Sequence, residues 1–118
     1  MVQDHCHMLA ELGFKKCEAD QAVFYIHAGK DILILAIHND DCTMTGSSDD
    51  LIQSYKLKIK SKYDLTDLGP IHWLLGIKIT QDHENRTISF SQSYIDSLLR
   101  PFNFTDLRPF STSMNPNI

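Results

Sequence analysis

Asp40 and Asp41 stand side by side between two apolar stretches, Ile32 to His38 and Cys42 to Thr45. Adjacent carboxylates at a strand tip repel each other and lose hydration when neighbouring strands crowd them. A divalent cation relieves both costs, and hard oxygen ligands suit Mg²⁺ or Mn²⁺. The same dipeptide also makes an ordinary solvated turn, because Asx side chains bond nearby backbone amides. Other candidates are weaker. His5, Cys6 and His7 with Cys17 lack the paired spacing of a structural zinc site. Cys42 beside Asp41 could act as a nucleophile with His38, although a cysteine in a strand more often fills a core. Trp73, with Ile71, Leu75 and Ile77, offers a stacking platform for a base, while its apolar setting favours packing inside a sheet. Lys56, Lys58, Lys60 and Lys62, spaced by two on a helix, scatter over opposite flanks and read as a solvated surface.

The elements that must position these residues follow from periodicity and punctuation. Met8, Leu9 and Leu12 share one face of a short helix that Asp4 could cap and Gly13 end. Ala22 to His27 and Asp31 to His38, rich in β-branched and aromatic residues and joined across Ala28-Gly29-Lys30, read as a β-hairpin. The second run is apolar almost throughout, as in a strand covered on both faces. Asn39 to Asp41 then forms the tip of a second hairpin, which continues through Cys42 to Thr45. Ser47 with Asp50 resembles a capping box, and Ile52, Tyr55, Ile59 and Tyr63 recur at helical intervals, predicting a helix over residues 48–62. Asp67-Leu68-Gly69-Pro70 is a turn. Two strands, Ile71 to Thr80 and Thr87 to Ser91, flank a polar loop. Tyr94, Ile95, Leu98 and Leu99 mark a last helix that Pro101 stops near Arg100, and an extended tail begins at Asn103. The fold class is α+β, with antiparallel β-hairpins and helices packed on one face.

Size and composition bound the function. The 118 residues suit one domain, 42% hydrophobic and 22% charged. A net charge of −4 argues against a free-standing nucleic-acid binder, whose phosphate contacts need surplus Lys and Arg. No apolar stretch approaches the length of a membrane span, and the opening residues do not resemble a signal peptide. Three unpatterned cysteines read as reduced thiols, so an intracellular setting, cytoplasmic or nuclear, is expected.

Several motifs in order give a more specific reading. The run Ile34 to Ser47 around Asp40-Asp41 resembles the aromatic-x-Asp-Asp hairpin of reverse transcriptases. Leu12-Gly13-Phe14, Asp20 and Phe24-Tyr25 are similar to the segment that precedes this hairpin in copia-type retrotransposon reverse transcriptases. Asp67-Leu68-Gly69-Pro70-Ile71-His72-Trp73-Leu74-Leu75-Gly76-Ile77 resembles that family's DLG-x₅-LGI stretch. Ser91-Gln92, Tyr94-Ile95, Leu98-Leu99 and Pro109 to Met114 continue the match across nearly the whole chain.

The resemblance implies that residues 1–102 form part of a polymerase palm and the start of a thumb, with 103–118 an extended tail. It implies that Asp40 and Asp41 are catalytic metal ligands for Mg²⁺ or Mn²⁺ during nucleotidyl transfer, Asp40 being the principal one. Trp73, Leu74 and Gly76 would belong to the region gripping the primer end, and the partner would be an RNA/DNA primer-template. A third catalytic aspartate and the nucleotide-binding fingers lie upstream in such polymerases and are absent from these residues, so inactivity of the chain alone is expected. The sequence also departs from the pattern: Asn39 occupies a usually apolar place, His38 stands where tyrosine is common, and the Gln92-to-Tyr94 spacing is one residue short. These departures suit an alternative, a domesticated, non-catalytic protein-interaction module that retains the palm fold. In either case an exposed sheet surface favours a homodimer.

Overall fold

A computed structural model describes residues 2–111, 113 and 114. The chain divides into two units, residues 1–68 and 69–118. In the first, the order is α1 (Val2–Glu11), β1 (Lys15–Lys16), β2 (Val23–Ala28), β3 (Asp31–His38), β4 (Asp41–Gly46) and α2 (Asp49–Lys62). In the second it is β5 (Trp73–Leu74), β6 (Ile77–Asp82), β7 (Thr87–Ser91) and α3 (Ser93–Leu99).

The first unit is a four-stranded antiparallel sheet in the order β1-β2-β3-β4. Side chains alternate across a strand, so Phe24, Ile26, Leu33 and Leu35 fall on one face. Phe24 lies opposite Leu35 and Ile26 opposite Leu33 in the ladder. Met8 and Leu9 of α1, Phe14 and Ile59 of α2 close over them to form the core, in which Leu33 and Leu35 are fully buried. Each such side chain contributes about 1.5–3 kcal/mol by leaving water. The other face, with Tyr25, Ile32, Ile34 and Ala36, is only half-buried. β3 is thus covered by helices on one side, not on both as its unbroken apolar run suggested; neighbouring strands shield the second side in part.

Gly29 and Lys30 join β2 to β3, and Gly29 takes the positive φ, 64°, that the first turn position of a type II′ hairpin requires. Asp4 lies inside α1 instead of ahead of it. The cap of α2 is shifted by one residue from its predicted place. Ser48 is the N-cap, its Oγ accepting from Leu51 N at 3.4 Å. Ser47 instead closes the base of the sheet: its Oγ accepts from Ile32 N at 3.0 Å and donates to Asp31 Oδ1 at 3.1 Å. Just before them, at the end of β4, Gly46 allows α2 to approach closely, since a Cβ there would sit 2.9 Å from the Ile32 carbonyl and 3.3 Å from Ile52 Cγ1.

The second unit is a three-stranded antiparallel sheet, β5-β6-β7, followed by α3. The single strand expected over residues 71–80 is broken at Leu75-Gly76, where both residues have positive φ, 53° and 77°. That is the sign pattern of a type I′ hairpin turn, so Leu74 pairs back onto Ile77. Leucine rarely adopts this conformation, which is why the sequence gives no warning of the turn. α3 ends at Leu99, as Pro101 predicts, but the chain coils once more: Asn103, at φ 58°, donates to Arg100 O, and Phe104 N donates to Leu99 O. This pair of bonds is a Schellman closure. Tail residue 112 and residues 115–118 lie outside the described residues.

Candidate functional site

His38 and Asp41 form the last pair of the β3–β4 ladder, leaving Asn39 and Asp40 as a two-residue turn. Asn39 has φ 51°, whereas Asp40 is not among the residues with positive φ, which is the pattern of a type II′ turn. An apolar β-branched residue would be strained at that position, and asparagine tolerates it. The two carboxylates are therefore not equivalent: Asp40 sits in the bend and Asp41 begins a strand. Both are exposed. Asn39 Nδ2 lies 3.5 Å from His38 Nε2. By alternation His38 and Asp41 share the outer, helix-free face of the sheet with Ala36, Thr43, Ile34 and Thr45.

This geometry does not bear out the expected Mg²⁺ or Mn²⁺ site. Among the described residues no group of three or more His, Cys, Asp or Glu side chains is placed to hold a metal ion. Asp40 and Asp41 are two exposed oxygen donors on a turn, without the further carboxylates and enclosing walls that would offset the cost of stripping water from a hard cation. The hairpin is formed as the sequence predicts; the metal centre is not.

Cys42, the next residue, is exposed at the edge strand and not packed in the core. Partial desolvation by its neighbours nevertheless pushes its thiol above the ordinary value, opposite to what an activated nucleophile requires.

Trp73, Leu74 and Gly76 come together in the β5–β6 hairpin of the second unit. Trp73 lies opposite Lys78 and is 60% exposed, so it is not the core residue that its apolar neighbours suggested. The reason is register: Leu74, Ile77, Ile79, Ile88 and Phe90 share the other face, leaving Trp73 among Lys78, Thr80, Ser89 and Ser91. Gly76 forms one wall of an open hollow of about 580 Å³, whose other walls come from Gln92 and the α3 residues Ser93, Tyr94, Asp96 and Ser97, with Arg100 at its end.

Three of the four lysines of α2 are tied to partners within the first unit. Lys56 pairs with Asp67 at 3.1 Å, Lys62 with Glu11 at 2.9 Å, and the Lys58 ammonium lies 4.3 Å from the centre of the Tyr55 ring. The hydrogen bond from Lys62 and its charge hold the Glu11 carboxyl below its usual range. Sequence reasoning missed the Ser47 clamp on Asp31 and Ile32, which fixes the open end of the hairpin carrying Asp40. The tandem Ser47-Ser48 was the available signal, since one serine suffices to cap a helix. Among the described residues no helix is long and apolar enough to cross a membrane.

Comparisons with known proteins agree with the motif order. The family model described as reverse transcriptase (RNA-dependent DNA polymerase) matches residues 2–116. The chain is 30% identical over 103 residues to a retrovirus-related Pol polyprotein from transposon TNT 1-94 of Nicotiana tabacum, covering 86% of this chain and 8% of that protein. It is 30% identical over 82 residues to an uncharacterized mitochondrial protein of Arabidopsis thaliana, covering 70% of this chain and 34% of the relative. Against the retrovirus-related Pol polyprotein from transposon RE1 of Arabidopsis thaliana it is 26% identical over 109 residues, 92% of this chain and 7% of that protein. The chain thus spans a small part of the length of these relatives. No solved structure matches it. With a family model matched along almost its entire length and its motifs in the family's order, the chain belongs to the reverse transcriptase (RNA-dependent DNA polymerase) family, among the copia-type retrotransposon members.

Proposed function

We propose that residues 1–102 supply the hairpin-bearing part of a copia-type polymerase palm and the start of its thumb, with 103–118 trailing from it. In this reading the chain serves RNA-directed DNA synthesis only in company with the remainder of such a polymerase. The observation that supports it is the placement of Asp40 and Asp41 at the tip of an antiparallel hairpin backed by two helices. Asp40, in the bend, is the principal catalytic carboxylate of the pair and Asp41 its neighbour in support. Two exposed anions alone would repel an incoming nucleotide and leave the charge of the transferring phosphoryl group unbalanced. The 118 residues by themselves are therefore inactive. A primer-extension assay on an RNA template tests this; incorporation that disappears in Asp40→Asn would overturn it.

Trp73, Leu74 and Gly76 take the primer-gripping role in the same reading, which is favoured by an exposed indole beside Lys78 on a polar sheet face. Trp73 is the single tryptophan of the chain. Its fluorescence should be quenched on titration with an RNA/DNA primer-template duplex, and an unchanged spectrum at saturating duplex would count against the assignment.

A second reading, a non-catalytic interaction module in an intracellular compartment, is favoured by the apolar side chains that the second unit leaves in water. Ile88, Phe90, Tyr94, Ile95 and Leu98 are all exposed. Exposed apolar surface of this kind marks association sites, and a homodimer is the simplest partner. Sedimentation showing a clean monomer at micromolar concentration would exclude the dimer.

A further inference from the structure

We infer that the homodimer expected in that second reading, on which this inference rests, is held by antiparallel pairing of β4 with β4 of a second copy, in the register centred on Met44, and not by the exposed apolar side chains of the second unit. β4 is an edge of the four-stranded sheet, hydrogen-bonded only to β3 among the described residues. Residues in an antiparallel ladder alternate between bonding one neighbour and the other. The bonds Ile37 N to Ala22 O and Ser47 N to Ile32 O fix the phase: odd positions of β3 bond towards β2, even ones towards β4. Cys42, Met44 and Gly46 therefore aim their amides and carbonyls outward, away from β3.

The guards that usually blunt such an edge are missing. β4 contains no proline, lysine or arginine, and its one charge, Asp41, sits at the end of the strand. A two-fold axis through Met44 satisfies every outward backbone group of the strand. Met44 pairs with its own copy, and Cys42 with Gly46 of the partner, twice over. All pairs keep side chains on their proper faces, so the helix-covered side continues across the junction. On the outer face Thr43 lies beside Thr45 of the partner, a favourable cross-strand pair. Asp41 faces no acid; its opposite number is Ser47 of the partner. The occupant is thus a second copy of the chain because the strand is complementary to itself in hydrogen bonding, in residue pairing and in charge.

Charge pairs introduced on the outer face test the register without touching the core. The full-length chain is compared by sedimentation with T43K/T45K and T43K/T45E, circular dichroism first confirming that each keeps the fold. In the stated register T43K/T45K sets lysine against lysine and weakens the dimer about tenfold or more at low salt, whereas T43K/T45E sets lysine against glutamate and restores it. A register centred on Thr43 would set lysine against lysine in both variants, so dissociation of both overturns the Met44 register. A dimer unaffected by either variant overturns the β4 interface while leaving a homodimer through another surface. A monomeric parent chain overturns the dimer itself.

Discussion

His38 pairs with Asp41 at the closing rung of the β3–β4 ladder, and that one rung decides what Asp40 and its neighbours can do. It confines the bend to Asn39 and Asp40 and places Asn39 at φ 51°. The left-handed region costs an ordinary side chain about 1–2 kcal/mol and costs asparagine less. Asn39→Val should therefore destabilise the first unit by about 1–2 kcal/mol, and Asn39→Gly should be neutral or better. Denaturant unfolding followed by circular dichroism reads both. Equal stability of the Val and Gly variants would mean that the bend is not held in this conformation.

The same rung leaves two carboxylates in water without a third. Calorimetric titration with MnCl₂ is expected to show no saturable binding, with parent chain and Asp40→Asn indistinguishable. Micromolar binding lost on Asp40→Asn would restore the metal site that the geometry rejects.

Stability is concentrated in the first unit. Leu35 is fully buried between Phe24 and Met44 in the ladder, whereas Phe90 is 65% exposed in the second sheet. Leu35→Ala loses a whole buried side chain and leaves a cavity, costing about 2–5 kcal/mol. Phe90→Ala removes a side chain that is mostly in water already and should change stability by about 0.5 kcal/mol or less. A large loss for Phe90→Ala at low protein concentration would show that its face is covered in solution.

Ser48 caps α2 and Ser47 does not, although the sequence pattern is satisfied by either. Ser48→Ala should cost about 1 kcal/mol through the lost cap to Leu51. Ser47→Ala should instead loosen the junction of Asp31 and Ile32 with the end of β4, read as faster amide exchange at Ile32. Exchange unchanged at Ile32 in Ser47→Ala would remove the clamp.

How far the sequence could be read depended on whether local preference and burial agreed. Phe24, Ile26, Leu33 and Leu35 alternate in phase with a covered face, and the Gly29 turn fits its hairpin, so β2, β3, β4 and the Asp40-Asp41 hairpin are legible from residue types alone, whereas the two-residue β1 at Lys15–Lys16 has no apolar pattern to announce it. Leu75 contradicts its own preference by taking a positive φ, so the break between β5 and β6 is invisible until the backbone is seen. Trp73 lies in an apolar stretch, but the turn fixes its register on the polar face. The metal site failed for a different reason: a coordination shell is a property of several segments, and the Asp-Asp dipeptide supplies only two of the ligands.

Asp82 gives the second unit an acid limit. Its carboxylate accepts from Asn85 Nδ2 at 2.7 Å and from Asn85 N at 3.0 Å, closing the β6–β7 loop, and these bonds hold its pKa below the ordinary 3.8. The folded carboxyl binds its proton less tightly than the unfolded one, so the unfolded state takes up more protons as the solution is acidified. The contribution is complete above the ordinary value and is lost as pH falls through the lower, folded one. Because the group is solvent-screened, the effect is local to the hairpin and does not extend to global unfolding. Amide protection at Asn85 and along β6–β7 should fall on acidification below about pH 4, near the ordinary carboxylate value. Asp82→Asn, which keeps an acceptor but carries no charge, should show weaker protection that no longer depends on pH in this range. A parent chain whose hairpin protection is flat through the same window would mean that the Asp82–Asn85 bonds do not hold the loop.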